Sequence, residues 1–136
     1  MKNKQSLFLS KKKLLKEAGC DDYNESVKRL FSKAFGMSLA QSYKYQTHEG
    51  SNEKASLFLE MVSRRAVGVP TSHIVCSRSF WKSDFYVNDT VLDPRPESEL
   101  IIDVTKNLLF DGMRVLDLGC GSGCIGISLY LSLIHI

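Results

Sequence analysis

Apolar residues recur at helical spacing through the first half of the chain. The clearest set occupies positions i, i+3, i+4 and i+7 and consists of Val27, Leu30, Phe31 and Ala34. Similar faces predict helices over residues 5–18 and 52–65, and their members are Leu7, Leu14, Leu15 and Ala18, then Ala55, Phe58, Leu59 and Val62. With a short helix after Ser38 and a loop at residues 48–52, these faces predict a helical bundle over residues 1–67.

The pattern changes at Pro70, where β-branched and aromatic residues replace the helical spacing. Residues 72–76 and 80–87 predict two short strands that form a hairpin. Two prolines then predict an extended segment and a helix that has Pro96 as its first residue and ends near Gly112. After that, residues 114–118 predict a buried strand, and a further helix begins at Ile125.

Composition excludes several classes of protein. The 136 residues are 43% hydrophobic and 24% charged, as in ordinary globular proteins, and no apolar run is long enough to span a membrane. The four cysteines do not form the paired Cys-x-x-Cys units of a zinc site. We therefore expect no bound metal. The start of the chain lacks the apolar core of a signal peptide, so we also expect a cytoplasmic protein. Its basic first half suits a solvated helix face better than direct nucleic-acid binding, because aromatic and basic residues do not alternate.

A glycine-rich motif follows the predicted strand at residues 114–118. Two apolar residues, Val115 and Leu116, lead to Asp117, and glycine then recurs at Gly119, Gly121 and Gly123. Glycine permits positive φ angles and leaves no Cβ between the backbone and a ligand. The helix that follows would offer free N–H groups and the positive end of its dipole. The motif therefore predicts a binding loop for a nucleotide-like or carboxylate-bearing cofactor.

Two registers of this motif are open. One begins at Asp117 and Gly119 and has the form Asp-x-Gly-x-Gly-x-Gly, which resembles motif I of class I S-adenosylmethionine (SAM) methyltransferases. The other begins at Gly121, runs to Gly126, and matches the dinucleotide fingerprint of a nicotinamide-dependent oxidoreductase. We favour the first, because the second would bury the Asp117 carboxylate inside a core strand.

A second motif makes the first more specific. The stretch Pro94-Arg-Pro-Glu-Ser-Glu99 stands upstream of Val115-Leu-Asp-Leu-Gly-Cys-Gly-Ser-Gly123, and Phe80-Trp precedes both. Together they resemble the release-factor glutamine methyltransferase family, although that family usually has glycine where this chain has Cys76. The resemblance implies an α/β fold in three parts: a helical substrate-recognition domain (1–69), a β-hairpin linker (70–92) and the start of a Rossmann-like SAM-binding domain (93–136).

The resemblance also implies a cofactor, a site and a partner. The cofactor is S-adenosyl-L-methionine, held by the loop residues Asp117, Gly119, Cys120, Gly121, Ser122 and Gly123. Its methionine end lies near the second motif, at Arg95, Glu97 and Glu99. The implied substrate is a glutamine side-chain amide of a peptide-chain release factor, bound by a cytoplasmic monomer that contacts neither membrane nor nucleic acid directly.

The family's Asn-Pro-Pro-Tyr motif, which holds the target amide, does not occur in the 136 residues. We therefore assign no catalytic residue and expect these residues to be an N-terminal fragment, inactive alone. Residues 131–136 match the translation of a transposase adapter in one reading frame, so His135 receives no function. The alternatives are an oxidoreductase fragment, from the second register, and a non-catalytic helical binding module.

Overall fold

The computed structural model describes residues 5–44 and 52–133. The described chain is mostly helical, with one small antiparallel sheet. It divides into two compact units, of which the first extends to Val75 and the second begins at Cys76. Residues 48–51 of the predicted loop at 48–52 and the residue His135 lie outside the described ranges, whereas Asn52 is already helical. The division into three domains stays a prediction.

Five helices are described in the first unit, and the predicted four are among them. They are α1 (Gln5–Glu17), α2 (Tyr23–Phe35), α3 (Leu39–Lys44), α4 (Asn52–Ala66) and α5 (Thr71–Val75). The predicted face of α2 is buried as expected. Gly36 ends α2 in the left-handed conformation, with φ of 68°. Ser38 and Gln41 form a reciprocal capping box, in which Ser38 N donates to Gln41 Oε1 (2.9 Å) and Gln41 N to Ser38 Oγ (3.1 Å).

Phenylalanine side chains form the centre of this unit. Phe31 stacks on Phe35 with ring centroids 4.3 Å apart, and it meets Phe8 and Phe58 edge-on at 5.5 and 5.3 Å. The buried faces of α1 and α4 differ from the predicted ones, because Phe8 on α1 and Met61 on α4 are buried. Leu14 and Leu59, which were predicted to be buried, are instead 37% exposed.

A buried hydroxyl links three of these helices. Ser26 Oγ on α2 donates to Asp22 Oδ2 (2.9 Å) and lies 2.7 Å from Thr71 Oγ1 of α5. Arg65 on α4 donates through Nε to Ser26 Oγ (3.2 Å) and through Nη2 to Asp22 Oδ1 (2.6 Å). Asp22 is the N-cap residue of α2, but its side chain makes no capping bond.

The predicted strand at residues 72–76 is wrong, because this segment forms helix α5. Pro70 initiates the helix, and its carbonyl accepts hydrogen bonds from the N–H groups of His73 and Ile74, each at 3.1 Å. Proline favours helix starts because its φ is already helical. Cys76 follows with φ of 56°, a conformation that favours glycine and accounts for the glycine usual at this position in the resembling family.

The second unit begins with a hairpin that lies further along the chain than predicted, because its turn at residues 81–82 falls inside the predicted strand at residues 80–87. Strand β1 (Arg78–Phe80) pairs antiparallel with β2 (Ser83–Phe85), and Phe80 is opposite Ser83. A 3₁₀ turn at Pro96–Ser98 leads into α6 (Glu99–Thr105), and α7 (Cys124–Leu133) follows. Pro96 begins this helical segment as predicted, although α6 ends well before Gly112. The two strands and the two helices share a core of Phe80, Phe85, Ile102, Cys124 and Leu129.

The predicted strand at residues 114–118 does not form. Leu116 and Leu118 are 79% and 84% exposed, although the pattern predicted a buried strand. A strand needs a neighbour for its backbone N–H and C=O groups, and the described residues supply none to this segment. The Rossmann-like start therefore stays a prediction.

Candidate functional site

The glycine-rich loop is a tight turn that opens α7. Gly119, Gly121 and Gly123 have φ angles of 75°, 55° and 75°. Gly123 N donates to Cys120 O (2.8 Å) and closes the turn, while Gly123 O accepts from Ile127 N (3.0 Å) as the first acceptor of the helix. The glycines are thus required by the backbone conformation, which residues with a Cβ rarely adopt.

Open space adjoins two of these glycines. A Cβ added at Gly119 or Gly121 would meet no other atom within 4 Å, whereas one at Gly123 would lie 3.2 Å from Ile127 Cδ1. A side chain at Gly123 would therefore be crowded by Ile127 as well as strained by the φ angle. The first two glycines instead leave their backbone accessible to a ligand.

Asp117 is fixed at the entrance to the loop. It is half-buried, and its Oδ2 accepts a hydrogen bond from Gly126 N in the first turn of α7 (3.3 Å). Both residues line a cleft of about 250 Å³ whose other walls are apolar. The carboxylate stands before the loop, the position that the first register of the motif requires. The part played by Gly126 was missed by the sequence analysis, although it is a glycine inside a predicted helix.

The remaining predicted loop residues differ in exposure. Cys120 is exposed and has a free thiol, and so has the buried Cys124, which follows the loop. Ser122 Oγ is buried without a hydrogen-bond partner. A buried hydroxyl without a partner is costly, and here it adjoins the amino end of a ten-residue helix. This donor set suits a ligand with polar groups and some negative charge.

The second motif lies before α6, a helix that packs against α7. Arg95 and Glu97 are exposed, while Glu99 is partly buried in the first turn of α6. Glu99 Oε1 accepts a hydrogen bond from Trp81 N in the hairpin turn (3.0 Å). This contact was not predictable from the sequence pattern, because it joins residues 18 positions apart in different elements.

Two classes of feature are not found in the described ranges. No group of three or more His, Cys, Asp or Glu side chains there is arranged to hold a metal ion. None of the helices described is both long and apolar enough to cross a membrane.

The comparisons with known proteins agree on one family. Residues 10–75 match the model of the PrmC N-terminal domain. The release factor glutamine methyltransferase of Shewanella oneidensis is 48% identical over 80 residues, which cover 58% of this chain and 28% of that protein. The protein of the same name from Caulobacter vibrioides is 35% identical over 113 residues, or 82% of this chain and 39% of the relative. The chain belongs to the release factor glutamine methyltransferase family.

The chain spans less than half the length of the relatives that it matches in this methyltransferase family. Even the alignment to the Agrobacterium fabrum relative, 28% identical over 128 residues, covers 90% of this chain and 44% of that protein. The domain named as N-terminal in this family ends at residue 75, where the first compact unit also ends. The glycine loop and the Pro94–Glu99 motif both lie in the second unit.

Proposed function

We propose that this chain is the N-terminal part of a SAM-dependent enzyme that methylates a glutamine side-chain amide in a peptide-chain release factor. The observation that carries the proposal is the loop from Asp117 to Gly123, with three left-handed glycines that open a helix. The names of the family relatives support the reaction and its substrate. Their greater length supports placing the activity in a longer protein.

The residues of the loop fit SAM in their chemistry. In this proposal, Gly119 and Gly121 let the cofactor approach the backbone, and Ser122 Oγ gives it a hydrogen bond. Asp117 keeps the loop attached to α7 and offers its second oxygen, while Cys120 and Gly123 complete the turn. Arg95 and Glu97 lie at the methionine end, where a charged pair matches the ammonium and carboxylate groups of an amino acid.

The chemistry demands precise placement of the two reactants. Bound SAM supplies an electrophilic methyl group on its sulfonium. An amide nitrogen is a weak nucleophile because its lone pair is delocalised, so the enzyme must align it by hydrogen bonds and position. The 136 residues contain no Asn-Pro-Pro-Tyr motif to do this. We therefore assign cofactor binding to this chain and the orientation of the amide to residues outside it.

The first unit is proposed to contact the release factor. Its family model denotes a separate N-terminal domain, and its core is formed within the unit itself. We propose that the enzyme acts as a monomer in the cytoplasm, where release factors act, and that it binds no nucleic acid directly.

The proposal is tested by replacing one loop glycine in the full-length protein. Gly121→Val puts a β-branched residue at positive φ and a side chain into the proposed cofactor space. We expect it to weaken SAM binding by at least about tenfold, measured by isothermal calorimetry, and to lower methyl transfer from labelled SAM to a release factor. Gly112→Val is the matched control, because Gly112 has φ of 80° and lies outside the loop.

Equal affinities of wild type and Gly121→Val for SAM would contradict the assignment of the loop. Binding of NADH in place of SAM would favour the dinucleotide register instead. We do not propose an oxidoreductase, because the relatives compared are methyltransferases.

A further inference from the structure

The hairpin turn has an unusual backbone for its sequence. Trp81 and Lys82 connect the paired residues Phe80 and Ser83, and Trp81 has φ of 55°. In two-residue hairpin turns, a positive φ at the first central residue is normally supplied by glycine. A bulky side chain adopts it only where neighbouring groups hold the turn in place.

Glu99 is one of the groups that hold this turn. The N–H of a central turn residue has no partner in the strand ladder, and Trp81 N donates instead to Glu99 Oε1 at 3.0 Å. The Trp81 ring is held separately, because Lys106 Nζ of the segment after α6 lies 5.2 Å from its centroid. The backbone and the side chain of Trp81 are thus both held by residues of one helical region.

A second contact joins the hairpin to the same motif at its other end. Arg78 Nε in β1 donates to Pro94 O at 3.2 Å and lies 3.9 Å from Asp93 Oδ2. The segment from Asp93 to Glu99 is therefore attached to the hairpin at both ends. Between the two attachments lie Arg95 and Glu97, which are exposed.

We propose that Glu99 is a positioning residue: by accepting the Trp81 N–H, it uses the hairpin turn to hold the Pro94–Glu99 segment in the geometry that binds the methionine end of SAM. This inference rests on the proposed function and assigns Glu99 a different part from Arg95 and Glu97.

A charge-neutral variant separates this role from direct contact with the cofactor. Glu99→Gln retains a side-chain oxygen that can accept the Trp81 N–H, whereas Glu99→Ala removes the acceptor. If Glu99 positions the segment, Gln should largely rescue the defect caused by Ala. If the negative charge of Glu99 binds the cofactor itself, Gln should fail as badly as Ala.

The experiment uses the full-length protein with two readouts. Amide hydrogen exchange of Trp81, followed by ¹⁵N NMR without cofactor, reports the hydrogen bond, and steady-state kinetics report KM for SAM and kcat. For Glu99→Ala we expect Trp81 exchange about tenfold faster and KM for SAM raised about fivefold, with kcat changed less. For Glu99→Gln both values should stay within about threefold of wild type.

Asp89→Asn is the control, because it removes an exposed carboxylate of the same unit. Unchanged Trp81 exchange in Glu99→Ala would overturn the inference, and so would a Gln variant with the KM of the Ala variant. A wild-type protein that binds no SAM would instead refute the proposed function, and the exchange data would still report whether Glu99 holds the turn.

Discussion

Ser26 is a completely buried hydroxyl whose hydrogen bonds join three helices. A hydroxyl has one proton, and because ionised Asp22 can only accept, Ser26 must donate to it. The short contact with Thr71 Oγ1 therefore has Thr71 as its donor, and Arg65 Nε supplies the third bond. All the hydrogen-bonding capacity of Ser26 is used, so this polar group does not weaken the core.

Removing this hydroxyl should destabilise the first unit. Ser26→Ala leaves Thr71 Oγ1 and Arg65 Nε without their acceptor, and we expect a loss of about 1–3 kcal/mol in the free energy of unfolding. Urea titration followed by far-ultraviolet circular dichroism measures it. Ser10→Ala is the control, since Ser10 is exposed and should change stability by less than about 0.5 kcal/mol. Equal urea midpoints for Ser26→Ala and Ser10→Ala would show that the hydrogen bonds of Ser26 contribute nothing to the free energy of unfolding.

Asp22 gives the stability a defined pH dependence. Partial burial alone would raise its pKa, but hydrogen bonds from Arg65 and Ser26 and the charge of Arg65 hold the pKa below the ordinary value of 3.8. A lowered folded-state pKa contributes stability above the unfolded-state pKa, and this contribution is lost as the pH falls through the folded-state value.

Asp22→Asn should therefore destabilise the protein at neutral pH and have progressively less effect below about pH 4. We expect about 0.5–1 kcal/mol at pH 7, because the Asp22 side chain is 54% exposed and solvent screens the pair. Urea midpoints of both proteins between pH 3 and pH 7 provide the measurement. A stability difference between wild type and Asp22→Asn that grows toward low pH would contradict a lowered pKa of Asp22 in the folded protein.

At the scale of elements, the sequence was most informative where one periodic face decides the structure. Helix α2 was predicted correctly because its apolar residues leave one possible buried face, and Gly36 marks its end. Helix α5 was mistaken for a strand because five residues carry too little periodicity, and the effect of Pro70 on the backbone was overlooked. The Glu99–Trp81 contact was not predictable, since it depends on how the hairpin packs on α6.

The predicted strand at residues 114–118 leads to a separate prediction about neighbouring strands in the full-length protein. Its apolar residues, among them Leu116 and Leu118, are exposed where the described chain provides no neighbouring strand. In the full-length protein, we expect strands of the proposed Rossmann-like domain to pair with this segment and bury these side chains.

Hydrogen exchange followed by mass spectrometry tests this pairing. Amides of residues 114–118 should exchange close to their intrinsic rates in the 136-residue chain and at least about a hundredfold more slowly in the full-length protein. The peptide covering α2 serves as the internal reference, since its bonds lie within one helix in both proteins. Fast exchange of the segment in the full-length protein would refute the strand.

At the scale of the whole molecule, two units divide the proposed work. The first matches the N-terminal domain of the release factor glutamine methyltransferase family, and the second carries the glycine loop and the Pro94–Glu99 motif. The relatives extend well beyond the aligned region. We accordingly expect residues 1–136 alone to show no methyl transfer, because the cofactor loop lacks the residues that would hold an amide.

The most direct test of the account is to locate the methyl group. The full-length protein is incubated with SAM and a release factor, and the product is analysed by tandem mass spectrometry. We predict one added methyl group on the side-chain amide of a single glutamine, and none after that glutamine is replaced by alanine. A folded, SAM-binding protein that leaves the release factor unmodified, or that methylates a different type of residue, would contradict the account.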